Sequence, residues 1–354
     1  FSAGCLTALV TLCSVVRGDI RHVIIHSFRP QTPRDFVRFF SEDIAFHHLH
    51  MSRSISPLAD IRAFIDLCVL LWQLKPDVVH CHSSKAGFLG RVAAKLFGIP
   101  SAYTPHGYAF LRTDINFFQK FVFKIMEQAA ILVGTAVISC GHEEYLLTRM
   151  LGGRKRRIYC IANSVNLKYF DILYGNVNIT DRQTIHVGTC SRLDTQRNPP
   201  LFGALASTLK DIHWTWIGAP QGDDSILPAH VARTGWLAHA DALKHIAALD
   251  IYVHTSLWEG LSYALLEAMS LCKPVVATNI PANVHVVQHG ITGFLGSTCE
   301  ELAGYVRLLA TDEGIRKRMG NAAREYVSKN HNADCVYSAY ESIYRSLAQS
   351  RDAK

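Results

Sequence analysis

The sequence predicts an α/β protein built from two parallel-sheet domains. Short apolar runs alternate with amphipathic helical patterns, the alternation occurs in two series, and a polar, weakly patterned stretch from about Asn163 to Thr184 separates them. Each half is long enough to bury a core of its own. The expected domains are residues 1–165, residues 166–332 and a terminal helical segment, 333–354, that packs back on the first. Both main domains read as Rossmann-like and facing each other across a cleft, because ligands of open parallel sheets bind beyond the carboxyl ends of the strands.

In the first series, "HVIIHS" (His22–Ser27), "DVVHCHS" (Asp77–Ser83), "SAYTPHG" (Ser101–Gly107) and "AVISC" (Ala136–Cys140) read as strands, with helices over Pro57–Leu74 and Lys85–Phe97. The tetrapeptide "FGIP" stops the second helix before the next strand. "CLTALVTLCSVV" (Cys5–Val16) is too short to cross a membrane and lacks a basic start, so it reads as a buried helix and not a signal peptide. In the second series the strands are "IHVGTCS", "IHWTWIG", "ARTGW", "IYVHTS" and "PVVATN". Near the end, Tyr337, Tyr340 and Tyr344 recur at helical spacing, as a core-packing stripe does.

With 354 residues, 49% hydrophobic and 18% charged, the composition excludes a disordered or collagen-like chain. There is no fixed-period repeat. Ten cysteines are scattered without a CxxC pair, which points to reduced thiols in a cytoplasmic protein, not to disulfides or a zinc site. The net charge of +7 is uneven: residues 1–165 hold 19 Lys/Arg against 11 Asp/Glu, and the remainder 17 against 18. The first half therefore suits an anionic partner such as acidic lipid, a lipid-linked phosphate or nucleic acid, although charge alone does not demand one.

Chemistry concentrates in two segments. "WEGLSYALLEAM" (Trp258–Met269) follows a strand and opens a helix near Leu261 or Ser262, so its first N–H groups make an anion site. Gly260 admits a ligand close to the backbone. Glu259 would project from the loop, and Glu267, eight residues on, could accept hydrogen bonds from a ribose diol. A solvated glutamate followed by an ordinary helical one fits the spacing equally. "GTCSRLDTQRNP" (Gly188–Pro199) places Arg192 and Arg197 in a turn-rich loop where two guanidiniums could clamp a diphosphate and offset a leaving group's charge, or lie on the solvated surface.

Arg192, Arg197, Glu259 and Glu267, in this order and context, resemble the family 4 (group 1) retaining glycosyltransferases of the GT-B fold. "KPDVVHCHSSKAGFLGRVAAKLFGIPSAYTPHGYAF", "MSRSISPLADIRAF", "IANSVNLKYF" and "EGLSYALLEAMSLCKPVVATNIPANVHVVQHGITGFL" extend the resemblance over about residues 20–345, toward members that assemble exopolysaccharide, capsule or O-antigen. The resemblance implies that Glu259 contacts the donor sugar and Glu267 the ribose, that Arg192 and Arg197 hold the diphosphate, that the backbone of Gly260, Leu261 and Ser262 meets phosphate or sugar, and that His106 reaches the transferred sugar. It implies a UDP- or GDP-linked donor, a glycan or polyprenyl-diphosphate-linked acceptor, retention of anomeric configuration, no metal cofactor and no nucleic acid partner. The implied location is cytoplasmic, peripheral on the inner face of the plasma membrane.

This chain departs from the family pattern in three places. The usual lysine is Arg197, followed by Asn198 where glycine is common; the Asn-Gly-Val-Asp segment is Asn163-Ser164-Val165-Asn166; and the first strand and most of the glycine-rich loop that the resemblance implies are read as absent, with Gly4 as the loop's expected remnant. That last departure keeps a catalytically weak scaffold partner of another transferase open as an alternative, beside a sugar-nucleotide epimerase of similar fold. Three further features carry expectations. The alternating histidines of "HHLH" (His47–His50) and "HCH" (His80–His82) are expected to point to opposite strand faces, which argues against a shared metal. "RKRR" (Arg154–Arg157) reads as a solvated basic loop, with a lipid-phosphate contact as the alternative. "FFQKFVFKIMEQ" (Phe117–Gln128) gathers Phe117, Phe118, Phe121, Val122 and Ile125 on one face, read as core, with an interfacial helix on anionic membrane as the alternative.

Overall fold

A computed structural model describes residues 3–29, 32–52, 56–152, 157–175, 184–220 and 226–352. The chain divides into two compact units, residues 1–163 with 333–354, and residues 164–332.

The first unit runs α1 (Ala3–Val15), β1 (Val23–His26), β2 (Ala45–His48), α2 (Pro57–Leu74), β3 (Val79–His82), α3 (Ser84–Leu96), β4 (Ser101–Thr104), α4 (Phe117–Val133), β5 (Ala136–Ser139), α5 (His142–Met150) and β6 (Arg157–Cys160). Helix boundaries follow local chemistry. Pro57 opens α2, and Lys75 in the left-handed region (φ 46) ends it. Gly98 (φ 66) closes the turn after α3, where a Cβ would be strained. Asn116 and Gln119 form a reciprocal capping box at the start of α4. Of the "RKRR" cluster only Arg157 falls within the described residues.

All strands of this unit pair in parallel, β1 with β2, and β3 to β6 in the order β3-β4-β5-β6. Leu12 of α1 and the adjoining Val16 bury with Ala102, Ala136 and Ile138 of the four-stranded sheet, and Cys13 of α1 with Ile24 of β1 and Ile44 just ahead of β2. Ile25 of β1 and Val79 of β3 share a second cluster with Leu67, Leu71, Ala93 and Ala94. Thus β1 and β3 are covered by common helices, yet each has one hydrogen-bonded strand neighbour among the described residues.

The apolar face of α4 is not core. Phe117 is 84% exposed, and Phe118, Phe121 and Ile125 are exposed with it. The buried row is instead Glu127, Ala130 and Ile131. An ion pair fixes that choice: Arg91 Nη2 donates to Glu127 at 3.0 Å, the Tyr103 hydroxyl donates to the other Glu127 oxygen at 2.9 Å, and the Arg91 guanidinium lies 3.8 Å over the Tyr103 ring. Helix α2, which like α4 packs on α3, exposes Leu58, Ile61, Ile65, Val69 and Trp72 along one stripe. No helix among the described residues is long and apolar enough to cross a membrane.

The second unit runs α6 (Leu167–Gly175), β7 (His186–Cys190), α7 (Pro199–Thr208), β8 (His213–Ile217), β9 (Ala232–Arg233), α8 (His239–Ala247), β10 (Ile251–His254), α9 (Tyr263–Ser270), β11 (Val275–Thr278), α10 (Pro281–Val284), β12 (Gly293–Gly296), α11 (Cys299–Thr311) and α12 (Glu313–Asn330). Its strands form one parallel sheet in the order β12-β11-β10-β7-β8-β9. Trp214, Trp216 and Phe202 fill the core beside Val187, Ile251 and Val276. The chain then returns to the first unit through α13 (Ala333–Val336) and α14 (Ser338–Asp352), where Tyr337 and Tyr340 bury against Ala102 and Ile138.

The alternating histidines differ from expectation. A strand repeats every two residues, so positions i and i+2 share a face. The His80 and His82 rings accordingly lie 4.1 Å apart, centroid to centroid, and His48 and His50 lie 4.3 Å apart. Among the described residues, no group of three or more His, Cys, Asp or Glu is arranged to hold a metal.

Candidate functional site

Strands β7 and β10 are parallel neighbours, so the loops at their carboxyl ends lie side by side. The first loop turns through Thr195–Arg197 and reaches Asn198 in the left-handed region (φ 52) before Pro199 starts α7. The second crosses Thr255–Ser262 into α9. Hydrogen bonds that involve main-chain atoms join them. Leu257 N–H donates to the Gln196 carbonyl at 2.9 Å, Gln196 Nε2 donates to the Trp258 carbonyl at 2.9 Å, and Thr255 Oγ1 donates to the Arg197 carbonyl at 2.6 Å.

Arg197 and Glu259 meet across this seam as an ion pair. Ser256 Oγ touches both, accepting from Arg197 Nη1 at 3.1 Å and donating to Glu259 Oε1 at 2.9 Å. Gln196 Nε2 reaches the other Glu259 oxygen at 3.3 Å. His254 Nε2 is 3.5 Å from Glu259 Oε1, but burial holds that imidazole's pKa at about 3, so it is neutral and forms no ion pair. Burial, then the Arg192 charge, lower the Arg197 pKa. Arg192 itself pairs with Asp194 at 3.2 Å.

Glu267 projects from α9, the eight-residue helix that starts after Gly260, Leu261 and Ser262. Its Oε1 is 2.7 Å from His239 Nε2 at the start of α8. Burial opposes a charge on His239, and the adjacent carboxylate outweighs it, raising the pKa. Glu259 is 9% and Glu267 5% exposed, so neither is a solvated surface carboxylate. The Ser262 side chain does not cap α9. Four buried atoms of this region, Ser191 Oγ, Asp194 Oδ1, Arg197 Nε and His254 Nε2, have no hydrogen-bond partner among the described residues. Buried polar atoms are normally paired, so this cluster of orphans beside two cations leaves donors and acceptors available to a polar ligand.

Arg192, Arg197, Glu259, Gly260, Leu261, Ser262 and Glu267 thus all belong to the second unit, and His106 to the first. His106 (φ 55) and Gly107 (φ 90) leave β4 in two successive left-handed residues. Glu144 accepts from Gly107 N–H at 2.7 Å and from Cys140 N–H at 2.9 Å, which clamps that turn. His106 Nε2 lies 2.9 Å from His82 Nδ1. Sequence reasoning did not find Gln196, Ser256, His239 or Glu144. Gln196 sits between the two arginines and could have been asked what it holds, whereas nothing in the spacing ties His239 to Glu267.

Two Rossmann-like units, with cations and carboxylates gathered at the strand ends of one, define a glycosyltransferase of the GT-B fold. Residues 8–164 match the glycosyl transferase 4-like domain and residues 224–326 the glycosyl transferases group 1 family, and the chain belongs to the group 1, family 4 glycosyltransferases. It is 29% identical over 314 residues, 81% of this chain and 80% of the relative, to UDP-Gal:alpha-D-GlcNAc-diphosphoundecaprenol alpha-1,3-galactosyltransferase of Escherichia coli. It is 21% identical to the capsular polysaccharide biosynthesis glycosyltransferase CapM of Staphylococcus aureus, over 89% of this chain and 88% of CapM. The structure of HepE from Anabaena in complex with UDP and glucose has the same fold, with a TM-score of 0.77 at 18% identity, over 97% of this chain and 96% of HepE.

Proposed function

We propose that this glycosyltransferase moves a sugar from a UDP-linked donor to a sugar carried on a polyprenyl diphosphate, in the assembly of a surface polysaccharide. The observation that carries the reading is the joined pair of loops after β7 and β10, which holds Arg197 and Glu259 together with Glu267 nearby on α9. The Escherichia coli relative's name supports the acceptor and a UDP-linked donor, and HepE's complex with UDP and glucose agrees with the latter.

On this reading Arg192, Arg197 and the N–H groups of Gly260–Ser262 hold the diphosphate, Glu267 accepts from the ribose hydroxyls, and Glu259 accepts from hydroxyls of the donor sugar. His106 meets the transferred sugar. The bond from the anomeric carbon to the diphosphate oxygen breaks as one to the acceptor oxygen forms on the same face. The acceptor's proton passes to the departing diphosphate, so configuration is retained. Two guanidiniums and a helix N-terminus supply the positive charge that such a leaving group needs, which is why the reading includes no metal. The exposed apolar stripes of α2 and α4, with half-buried Lys120 and exposed Lys124 beside the latter, suit peripheral contact with an anionic membrane where such acceptors lie.

The test is transfer from a panel of UDP- and GDP-sugars to an α-GlcNAc-diphospholipid. The reading expects product with at least one UDP-hexose or UDP-N-acetylhexosamine, and an α linkage from an α-configured donor. No turnover of any donor would contradict it, as would an inverted product.

A further inference from the structure

His106 is not an isolated histidine. Its Nε2 is 2.9 Å from Nδ1 of His82, the last residue of β3, and the two rings are nearly parallel at 22°. Only one proton fits between two ring nitrogens at that distance: two lone pairs repel, and two N–H groups collide. With Nε2 engaged, Nδ1 is the ring atom of His106 left to meet a ligand.

Both rings are neutral near pH 7. Burial lowers the His106 pKa to about 4, and burial, with His80 and His106 adding to the effect, holds that of His82 well below the ordinary imidazole value. His80 is engaged elsewhere, with Nδ1 2.6 Å from the Tyr344 hydroxyl and Nε2 2.9 Å from Thr104 Oγ1. Two neutral arrangements of the shared proton exist. If His106 donates, His82 carries its own proton on Nε2, a buried atom with no partner among the described residues. If His82 donates, the same Nε2 is a bare lone pair. Among backbone groups an orphaned buried N–H is rarer than an under-satisfied acceptor, and the same preference applied to the ring favours the bare lone pair.

We propose that His82 is a positioning residue for His106: it donates from Nδ1 to His106 Nε2, fixing the tautomer so that His106 offers Nδ1–H as a hydrogen-bond donor to the transferred sugar. The tautomer stands on the geometry and on both rings being neutral, independently of the proposed function; its consequence for transfer rests on the role of His106 proposed above. The ring that meets an oxygen-rich ligand is then a donor of fixed orientation, supported from behind by a residue that need never touch the sugar.

The experiment combines imidazole ¹⁵N NMR with transfer kinetics on the full chain and on the His82→Leu and His82→Asn variants. An asparagine amide can stand near the place of Nδ1–H and keep the donor. The expected result is a single Nδ1–H tautomer for His106 in the parent and in His82→Asn, and a mixture in His82→Leu. Transfer should fall on the order of tenfold to hundredfold in His82→Leu, with UDP affinity unchanged, and largely recover in His82→Asn. A His106 tautomer that is Nε2–H in the parent, or unaltered in His82→Leu, overturns the proposal and leaves the assignment of His106 untouched. An altered tautomer with undiminished transfer overturns the positioning role together with that assignment. If His82→Leu does not fold, His82→Asn and His82→Gln decide it: only the asparagine should keep the parent tautomer.

Discussion

Arg197 and Glu259 form an ion pair within the second unit, and Ser256 Oγ bonds to both. The cation assigned to the diphosphate and the carboxylate assigned to the sugar are thus held against each other. Each keeps the other from being a lone buried charge, and each must share its partner with the donor.

Removing one member strands the other. Arg197→Met or Glu259→Leu alone should destabilise the chain by about 3–5 kcal/mol, toward the low end because the Arg197 side chain is 18% exposed. The double variant should cost less than the sum, with a coupling of about 1–3 kcal/mol in a double-mutant cycle followed by urea unfolding. Additive losses would mean that the pair is not formed in solution.

Glu144 gives stability a pH signature. Burial raises its pKa to about 6 from 4.5, against the two backbone N–H groups that lower it. The folded chain therefore binds more protons than the unfolded one between those values, and its stability falls as pH rises from about 4.5 to about 6, by about 2 kcal/mol. Glu144→Gln should lack that step. Urea midpoints of both proteins across pH 4–7 measure the difference, and parallel curves would refute it.

The exposed stripes of α2 and α4 should seat the chain on anionic vesicles. Flotation with phosphatidylglycerol liposomes should weaken at high salt and on combining Lys120→Glu with Lys124→Glu, because the electrostatic part is screened. Phe117→Ser with Phe121→Ser should weaken binding at low salt as well. Salt-insensitive flotation of every variant would remove the electrostatic part of the account.

How much the sequence disclosed depends on the kind of information. Helix α2 spans Pro57–Leu74 as its periodicity and first proline indicate, and the parallel strands from "HVIIHS" to "PVVATN" are present. Strand β12, with the sequence GFLG, was not foreseen because its glycines carry no β signal. The α4 face was misjudged for a different reason. Periodicity finds an apolar face, but only packing says what covers it, and here Glu127, a charge, is the residue turned inward toward Arg91. The residues named from the resemblance lie in the loops after β4, β7 and β10, with Glu267 on the helix that follows β10, whereas their supports could not be read. Glu267 meets His239 from another helix, and Glu144 reaches Gly107 across 37 positions.

The central claim is that Glu259 and Glu267 serve two ends of one nucleotide-sugar, and titrating UDP calorimetrically into four proteins tests it most directly. The account predicts that Arg197→Ala and Glu267→Gln each weaken UDP by about 10-fold or more, consistent with charge-assisted bonds of roughly 1.5–3 kcal/mol. It predicts that Glu259→Gln leaves UDP affinity within about threefold of the parent's while abolishing transfer, because Glu259 meets the sugar and not the nucleotide. Equal loss of UDP affinity in both glutamate variants, or no loss in Arg197→Ala, would contradict it.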